Sequence, residues 1–125
     1  MAQSTAILLL EDEPLILMDL EFAAMDRGCS VHTANSCKRA IELLANGHFD
    51  VAILDVSLGG KSTCFPVAKR LEELGTPYLL HTGDLNRHDE HVRELKAKLI
   101  AKPSPANTVV AAALDLARES NRTDG

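Results

Sequence analysis

Four short apolar runs of this sequence end on residues whose side chains could do chemistry. The residues at these ends are Glu11 and Asp12, Asp55, Thr82, and Lys102. Runs rich in Leu, Ile, Val and Ala are typical of strands that are buried on both faces of a parallel sheet. Open sheets of this kind place their chemistry in the crevice outside the carboxyl ends of the strands. We therefore expect the three carboxylates, the hydroxyl and the lysine to lie close together.

Such a group of side chains would have a definite chemistry. Three carboxylates in one crevice repel one another, which raises their affinity for protons or recruits a cation. Hard oxygen ligands suit Mg²⁺, which keeps several waters and pairs with phosphoryl oxygens. A carboxylate nucleophile at Asp55, a cation, a lysine and a hydroxyl are the groups needed to form an aspartyl phosphate. Each residue alone could be a helix cap or a surface charge, so the hypothesis rests on their coincidence.

The elements that must position these residues alternate along the chain. Apolar runs predict strands over about 5–10, 29–34, 51–54, 78–81 and 99–101. Helical spacing, with glycines as stops, predicts helices over about 15–27, 36–46, 63–74, 85–96 and 105–119. Alternation with short connections predicts parallel strands joined by right-handed crossovers. We predict an α/β three-layer sandwich with a five-stranded parallel sheet in the flavodoxin-like order 2-1-3-4-5.

Length and charge exclude several classes of protein. The 125 residues suffice for one domain, which we assign to 1–119, followed by a polar tail over 120–125. The net charge of -5 argues against a nucleic-acid or anionic-membrane surface, because both need basic patches. The first apolar run is too short for a signal or membrane segment. The three cysteines form no C-x-x-C pair, so we expect reduced thiols and a cytoplasmic protein.

Four segments carry a resemblance to a known family. They are LLLEDEP at 8–14, ILD at 53–55, TG at 82–83 and AKP at 101–103. Together and in this order they resemble the receiver (CheY-like) domain of bacterial two-component response regulators, over essentially the whole chain. The resemblance implies the same flavodoxin-like fold.

The resemblance also assigns roles to the residues. It implies that Asp55 accepts a phosphoryl group from a histidine kinase or a histidine phosphotransfer protein. The implied magnesium ligands are Asp12, Asp55 and the backbone carbonyl of Ser57, with Glu11 acting through water. Thr82 and Lys102 would contact the phosphoryl oxygens, and the bond between Lys102 and Pro103 would be cis.

The sequence departs from the common receiver pattern in two places. Receivers commonly carry Tyr or Phe, as a rotameric switch, at the position that is Leu99 here. The segment 77–84, PYLLHTGD, is similar to the Pro-Phe-x-Phe-Ala-Thr-Gly motif of the atypical "FAT GUY" receivers, which also lack the aromatic switch, and it differs from that motif at His81 and Asp84. We therefore expect phosphorylation to act mainly through Thr82 and the charge-rich helix over 85–96.

The predicted function is that of a single-domain response regulator that signals through a downstream protein partner. It would catalyse its own phosphorylation and dephosphorylation rather than act as a metabolic enzyme. One alternative is a degenerate receiver that acts as a phosphorylation-independent binding module. A haloacid-dehalogenase-like phosphatase is disfavoured, because that family places a second Asp where this chain has Ser57.

The first helix carries two apolar stripes. One is Ile16, Leu20, Ala23 and Ala24, which we expect to face the sheet. The other is Leu15, Met18, Phe22 and Met25, on nearly the opposite side of a helix with 100° per residue. A helix on one side of a sheet should have a polar outer face. An exposed apolar row is typical of a surface that binds a partner. The resemblance implies that the first helix packs against the histidine donor, so we predict that the second stripe docks that donor or, failing that, forms a homodimer contact.

Overall fold

The structure is a computed structural model that describes residues 4–56, 58, 63–83, 95 and 97–123. Two of the sequence predictions fall outside these residues: the carbonyl of Ser57, and the helix over 85–96 apart from Leu95.

Strands and helices alternate as predicted wherever the structure describes the chain, and the predicted helix between the last two strands falls outside the described residues. The strands are β1 (Ala6–Leu10), β2 (Ser30–Ala34), β3 (Val51–Leu54), β4 (Tyr78–Thr82) and β5 (Lys98–Ala101). The helices among the described residues are α1 (Pro14–Asp26), α2 (Cys37–Asn46), α3 (Phe65–Leu74) and α4 (Ala106–Thr123). All neighbouring strands pair in parallel, in the order β2-β1-β3-β4-β5. This confirms the predicted order 2-1-3-4-5.

Local signals in the sequence set several helix ends. Pro14 occupies the first turn of α1, where its missing N–H costs no hydrogen bond. Ser36 caps α2, because its side-chain oxygen accepts a hydrogen bond from the backbone N–H of Arg39 at 3.2 Å. Gly28 and Gly75 follow α1 and α3 with φ angles of 79° and 75°, a conformation that glycine adopts without steric cost. These ends of α1, α2 and α3 therefore lie where the sequence signals indicate them.

The sheet has an apolar core on each face. Side chains alternate between the two faces along each strand. Leu8 and Leu54 pack towards α2 and α3, whereas Leu9 and Ile53 pack towards α1 and α4. Both sets are buried, which explains why these strands appear in the sequence as continuous apolar runs. Among the described residues, no helix is both long and apolar enough to cross a membrane.

Candidate functional site

Strand register brings the predicted carboxylates side by side. The last aligned row on three neighbouring strands is Leu10, Leu54 and Leu80. The next residues along these chains are Glu11, Asp55 and His81. The backbone N–H of Asp55 donates to the carbonyl of Leu10 at 2.8 Å, which extends the alignment of β1 and β3 by one residue. The carboxylates therefore lie next to each other at the carboxyl edge of the sheet.

One lysine from the end of β5 joins the two buried carboxylates. Lys102 Nζ lies 2.9 Å from Glu11 Oε1 and 3.4 Å from Asp55 Oδ2. It also lies 3.7 Å from Oε1 of the exposed Glu13. Glu11 and Asp55 are only 1% and 4% exposed, so solvent screens these ion pairs weakly. The structure thus brings together the lysine and carboxylates that the sequence predicted.

The electrostatic balance of this site leaves Asp55 poised between two protonation states. Burial is the largest influence, and together with the neighbouring Glu11 it raises the pKa of Asp55 to about 7. The ammonium of Lys102 opposes this shift but does not cancel it. Burial alone would lower the pKa of Lys102, but Glu11 and Asp55 outweigh it and raise that pKa. A single lysine does not fully compensate the carboxylates, so additional positive charge would stabilise the ionised site.

The carboxylates have the arrangement of a cation site. Glu11, Asp12 and Asp55 each offer an oxygen within 4.8 Å of the others. Asp12 is half-buried, so solvent reaches the three carboxylates from the side of Asp12. An all-oxygen donor set with access to water fits Mg²⁺, and the raised pKa of Asp55 fits a site short of positive charge. These residues would hold the ion, which would supply positive charge beside the Asp55 carboxylate.

Thr82 and the Lys102–Pro103 segment complete the predicted group. Thr82 is buried at the end of β4, and its carbonyl accepts a hydrogen bond from the backbone N–H of Lys102 at 2.9 Å. This bond ties the ends of β4 and β5 together beside Asp55. The Lys102–Pro103 peptide bond is cis, which confirms that expectation.

Sequence reasoning missed the environment of His81. Its side chain is 3% exposed, and neither ring nitrogen has a hydrogen-bond partner among the described residues. Burial, followed by the nearby charge of Lys102, lowers the pKa of His81, while Glu11 acts in the opposite direction. Its position in β4, two residues after the buried Leu79, was the signal that could have revealed it, because alternate residues of a strand share a face.

The second stripe of α1 lies on the surface. Leu15, Met18, Phe22 and Met25 are 73%, 41%, 56% and 54% exposed. Leu20 and Ala24 on the opposite side of the helix are buried. The four side chains are therefore not part of the core, and we call them the α1 surface row below.

Comparison with known proteins assigns the family. The family model described as the response regulator receiver domain matches residues 7–114. The chain belongs to this family. Receiver domains are phosphoacceptor signalling modules that interact with histidine kinases and downstream effectors and typically bind Mg²⁺ at an acidic site. The cluster of Glu11, Asp12 and Asp55 has that acidic character.

Individual proteins share part of the sequence or the fold of this chain. The chain is 45% identical, over 53 residues, to the alginate biosynthesis transcriptional regulatory protein AlgB of Pseudomonas putida. That match covers 42% of this chain and only 12% of the relative. A CheY-like receiver domain protein of Methanospirillum hungatei has a TM-score of 0.86 at 18% identity, covering 97% of this receiver and 99% of that chain. The chemotaxis response regulator CheY4 of Vibrio cholerae has a TM-score of 0.77 at 22% identity, covering 91% and 99%.

Proposed function

We propose that this receiver accepts a phosphoryl group on Asp55 from a histidine-phosphorylated protein and then signals in the cytoplasm through a protein partner. The observation that carries the proposal is the environment of Asp55. Its carboxyl is buried, has a pKa of about 7, and lies 3.4 Å from Lys102 Nζ beside two further acids. A buried carboxyl beside an ammonium and two further acids that could hold a cation suits a nucleophile whose reacting partner is an anionic phosphoryl group, because a bound cation would favour the ionised carboxylate that attacks phosphorus.

Each residue has a defined part in the transfer. An oxygen of Asp55 forms a bond to phosphorus while the bond between phosphorus and the donor imidazole breaks, and the electron pair of that bond stays on the imidazole. Bound Mg²⁺ would neutralise charge on the transferring group. Glu11 and Asp12 would hold the ion, and Lys102 would exchange part of its ion pairing for a phosphoryl oxygen. The hydroxyl of Thr82 would donate a hydrogen bond to a second phosphoryl oxygen.

Labelling by a small phosphodonor tests this proposal without knowledge of the natural donor. The protein is incubated with acetyl phosphate and Mg²⁺, and its intact mass is measured. We expect one added phosphoryl group in the wild type and none in Asp55→Asn, because the amide cannot attack phosphorus. Chelation of Mg²⁺ should suppress the labelling. An unlabelled wild type would contradict the proposal and favour the degenerate receiver that binds partners without phosphorylation.

We further propose that the α1 surface row docks the histidine donor. Such an adaptable apolar surface of Leu, Met and Phe is typical of partner-binding sites. Acidic residues flank it on the same helix: Asp19, Glu21 and Asp26. A second copy of this acidic face would repel the first, so the charges favour a partner with an apolar centre and a basic rim over a homodimer.

Paired assays test the docking proposal. The donor is the histidine-phosphorylated domain that labels the wild type fastest in a phosphotransfer screen. Met18→Asp with Phe22→Asp should slow transfer from it by about tenfold, roughly 1.4 kcal/mol, and leave labelling by acetyl phosphate unchanged. Leu74→Asp, at an exposed leucine on α3, serves as the matched control and should affect neither assay. Equal losses in both assays, or dissociation of a wild-type dimer by the double variant, would contradict docking of the donor.

A further inference from the structure

A small cavity opens beside α1, next to the α1 surface row. It has a volume of about 240 Å³ and lies between α1 and the segment that joins β5 to α4. Its apolar walls are Ile16, Leu20, Pro103 and Ala106. Asp19 also lines it, and this residue lies four positions after Leu15 in the row, which makes the two neighbours on the helix surface. The edge of the cavity that Asp19 forms therefore lies next to the row at Leu15.

His81 gives this cavity a polar wall. It lines the cavity and is 97% buried, and neither of its ring nitrogens has a partner among the described residues. A buried polar group without a hydrogen bond destabilises a fold, so such a group needs an explanation. The terminal torsion of a histidine is broad, so a modest rotation of the ring can turn a nitrogen towards the cavity. A group entering from α1 can then supply the missing hydrogen bond.

Size and charge restrict what the cavity can receive. It holds roughly eight water volumes, which is below the range of about 300–1,000 Å³ typical of small-molecule sites. A single side chain fits this volume better than a cofactor does. Asp19 and Lys102 both line the cavity, so its lining carries one charge of each sign, and the ammonium of Lys102 is already paired with Glu11 and Asp55. The lining therefore favours neither an anion nor a cation. The occupant that best fits the cavity is therefore an uncharged side chain with an apolar body and a hydrogen-bonding end.

We propose that this cavity is a socket for a tyrosine side chain of the protein that docks on the α1 surface row, with the phenol hydroxyl bonded to His81. The proposal rests on the docking role given above and adds the chemistry of one contact. Tyrosine is common among the side chains that anchor interfaces, because its ring is apolar and its hydroxyl needs a partner when buried. The row would supply contact area, and the socket would fix the position of the partner along α1.

Two small molecules test the chemistry of the socket. 4-Methylphenol is the side chain of tyrosine, and toluene is the same molecule without the hydroxyl. In a titration followed by amide signals, 4-methylphenol should shift those of Asp19, His81 and Ser104 and bind about tenfold more tightly than toluene, as expected for one hydrogen bond. His81→Leu should reduce this preference to about twofold or less. His48→Leu, at an exposed histidine outside the cavity, should leave the preference unchanged.

A competition experiment tests whether the docking protein occupies the same cavity as 4-methylphenol. A saturating concentration of 4-methylphenol should slow phosphotransfer from the histidine donor at least about threefold, while labelling by acetyl phosphate stays unchanged. Absence of binding, or equal binding of toluene by the wild type, would contradict the socket even if His81→Leu failed to fold. Binding without slower transfer would show a small-molecule site and contradict the docking role. Failure of acetyl phosphate labelling would contradict the phosphoacceptor proposal instead, and the titration would still decide the chemistry of the cavity.

Discussion

The carboxyl of Asp55 binds a proton in the folded protein at a pH where an ordinary aspartate has lost it. The cause is the burial of Asp55 together with the nearby carboxylate of Glu11, which follows the neighbouring strand β1. Lys102 makes the ionised form more favourable but shares its ammonium between two carboxylates. A bound divalent cation would lower the pKa of this carboxyl by its positive charge, and Asp55 would then be in the ionised form that attacks phosphorus.

This balance predicts how stability depends on pH without Mg²⁺. An unfolded aspartate has a pKa of about 3.9, whereas that of folded Asp55 is about 7. Between these values the folded protein keeps a proton that the unfolded chain has released, so the Asp55 contribution is fully present below about pH 4 and is lost as the pH rises through 7. Urea unfolding should show a loss of at most about 1.4 kcal/mol per pH unit from this group.

Two variants isolate the contribution of Asp55 to this pH dependence. Asp55→Asn should remove it, because the amide does not titrate. Asp26→Asn, at an exposed acid at the end of α1, should retain it. An Asp55→Asn profile parallel to that of the wild type would show that another group is responsible.

The sequence predicted the individual residues of the site because each of them follows an apolar run. Glu11, Asp55 and Lys102 could be assigned to one edge once strand alternation was recognised. The alternation of strand faces could have indicated that His81 is buried, and the expected clustering of carboxylates indicated the direction of the pKa shift of Asp55. The ion-pair distances and the size of that shift could not be predicted, because they depend on side-chain positions. The backbone carbonyl of Ser57 stays a predicted ligand.

The helix α1 is apolar on both sides. The spacing of apolar residues in its sequence agrees with which of them are buried in the structure. The spacing of its two stripes predicted one row towards the sheet and one away from it. Leu20 is buried and Phe22 is 56% exposed, as that spacing requires. A conventional surface helix would present polar side chains at 15, 18, 22 and 25, so packing within the described residues does not explain the outer row.

Stability measurements should separate the two sides of α1. Leu20→Ala should lower the free energy of unfolding by about 2–5 kcal/mol, because it removes a buried side chain and leaves a cavity. Phe22→Ala should change it by about 0.5 kcal/mol or less, because the ring is exposed. The comparison is made by urea unfolding at one pH. Similar large losses for both variants would show that Phe22 is part of the core.

Helix ends were predicted where the sequence contains a stop signal and not elsewhere. Gly28 and Gly75 mark the ends of α1 and α3, and both take the left-handed conformation. The last helix was expected to end near Glu119, whereas α4 continues to Thr123. The sequence contains neither glycine nor proline between Pro105 and Gly125, so nothing there forces the helix to stop.

For the whole molecule, connectivity limited the possible strand orders, and the flavodoxin-like order was the first choice among them. Alternating strands and helices with short connections allow few arrangements, and the order 2-1-3-4-5 places β1 and β3 together. The response to phosphorylation is less predictable, because Leu99 occupies the usual aromatic position and is 41% exposed. The proposed route through Thr82 and residues 85–96 stays a prediction, as does membership of the atypical subgroup.

Magnesium should stabilise the whole fold through the acidic site. At pH 8, Mg²⁺ at a hundred times its dissociation constant should raise the free energy of unfolding by about 2.7 kcal/mol, if the ion binds only the folded state. Asp12→Asn should lose most of this gain, and Asp26→Asn should keep it. The measurement is thermal or urea unfolding with and without the ion. A gain that persists in Asp12→Asn would mean that the ion binds elsewhere.

The central claim, that Asp55 is the phosphoacceptor, is tested most directly by locating the acyl phosphate on the chain. Borohydride reduces an aspartyl phosphate to homoserine, which marks the modified position permanently. After acetyl phosphate and Mg²⁺ treatment, peptide sequencing by mass spectrometry should find homoserine at position 55 and at no other aspartate. Homoserine at another position, such as that of Asp12, or its absence from a protein that carries a phosphoryl group, would contradict the account.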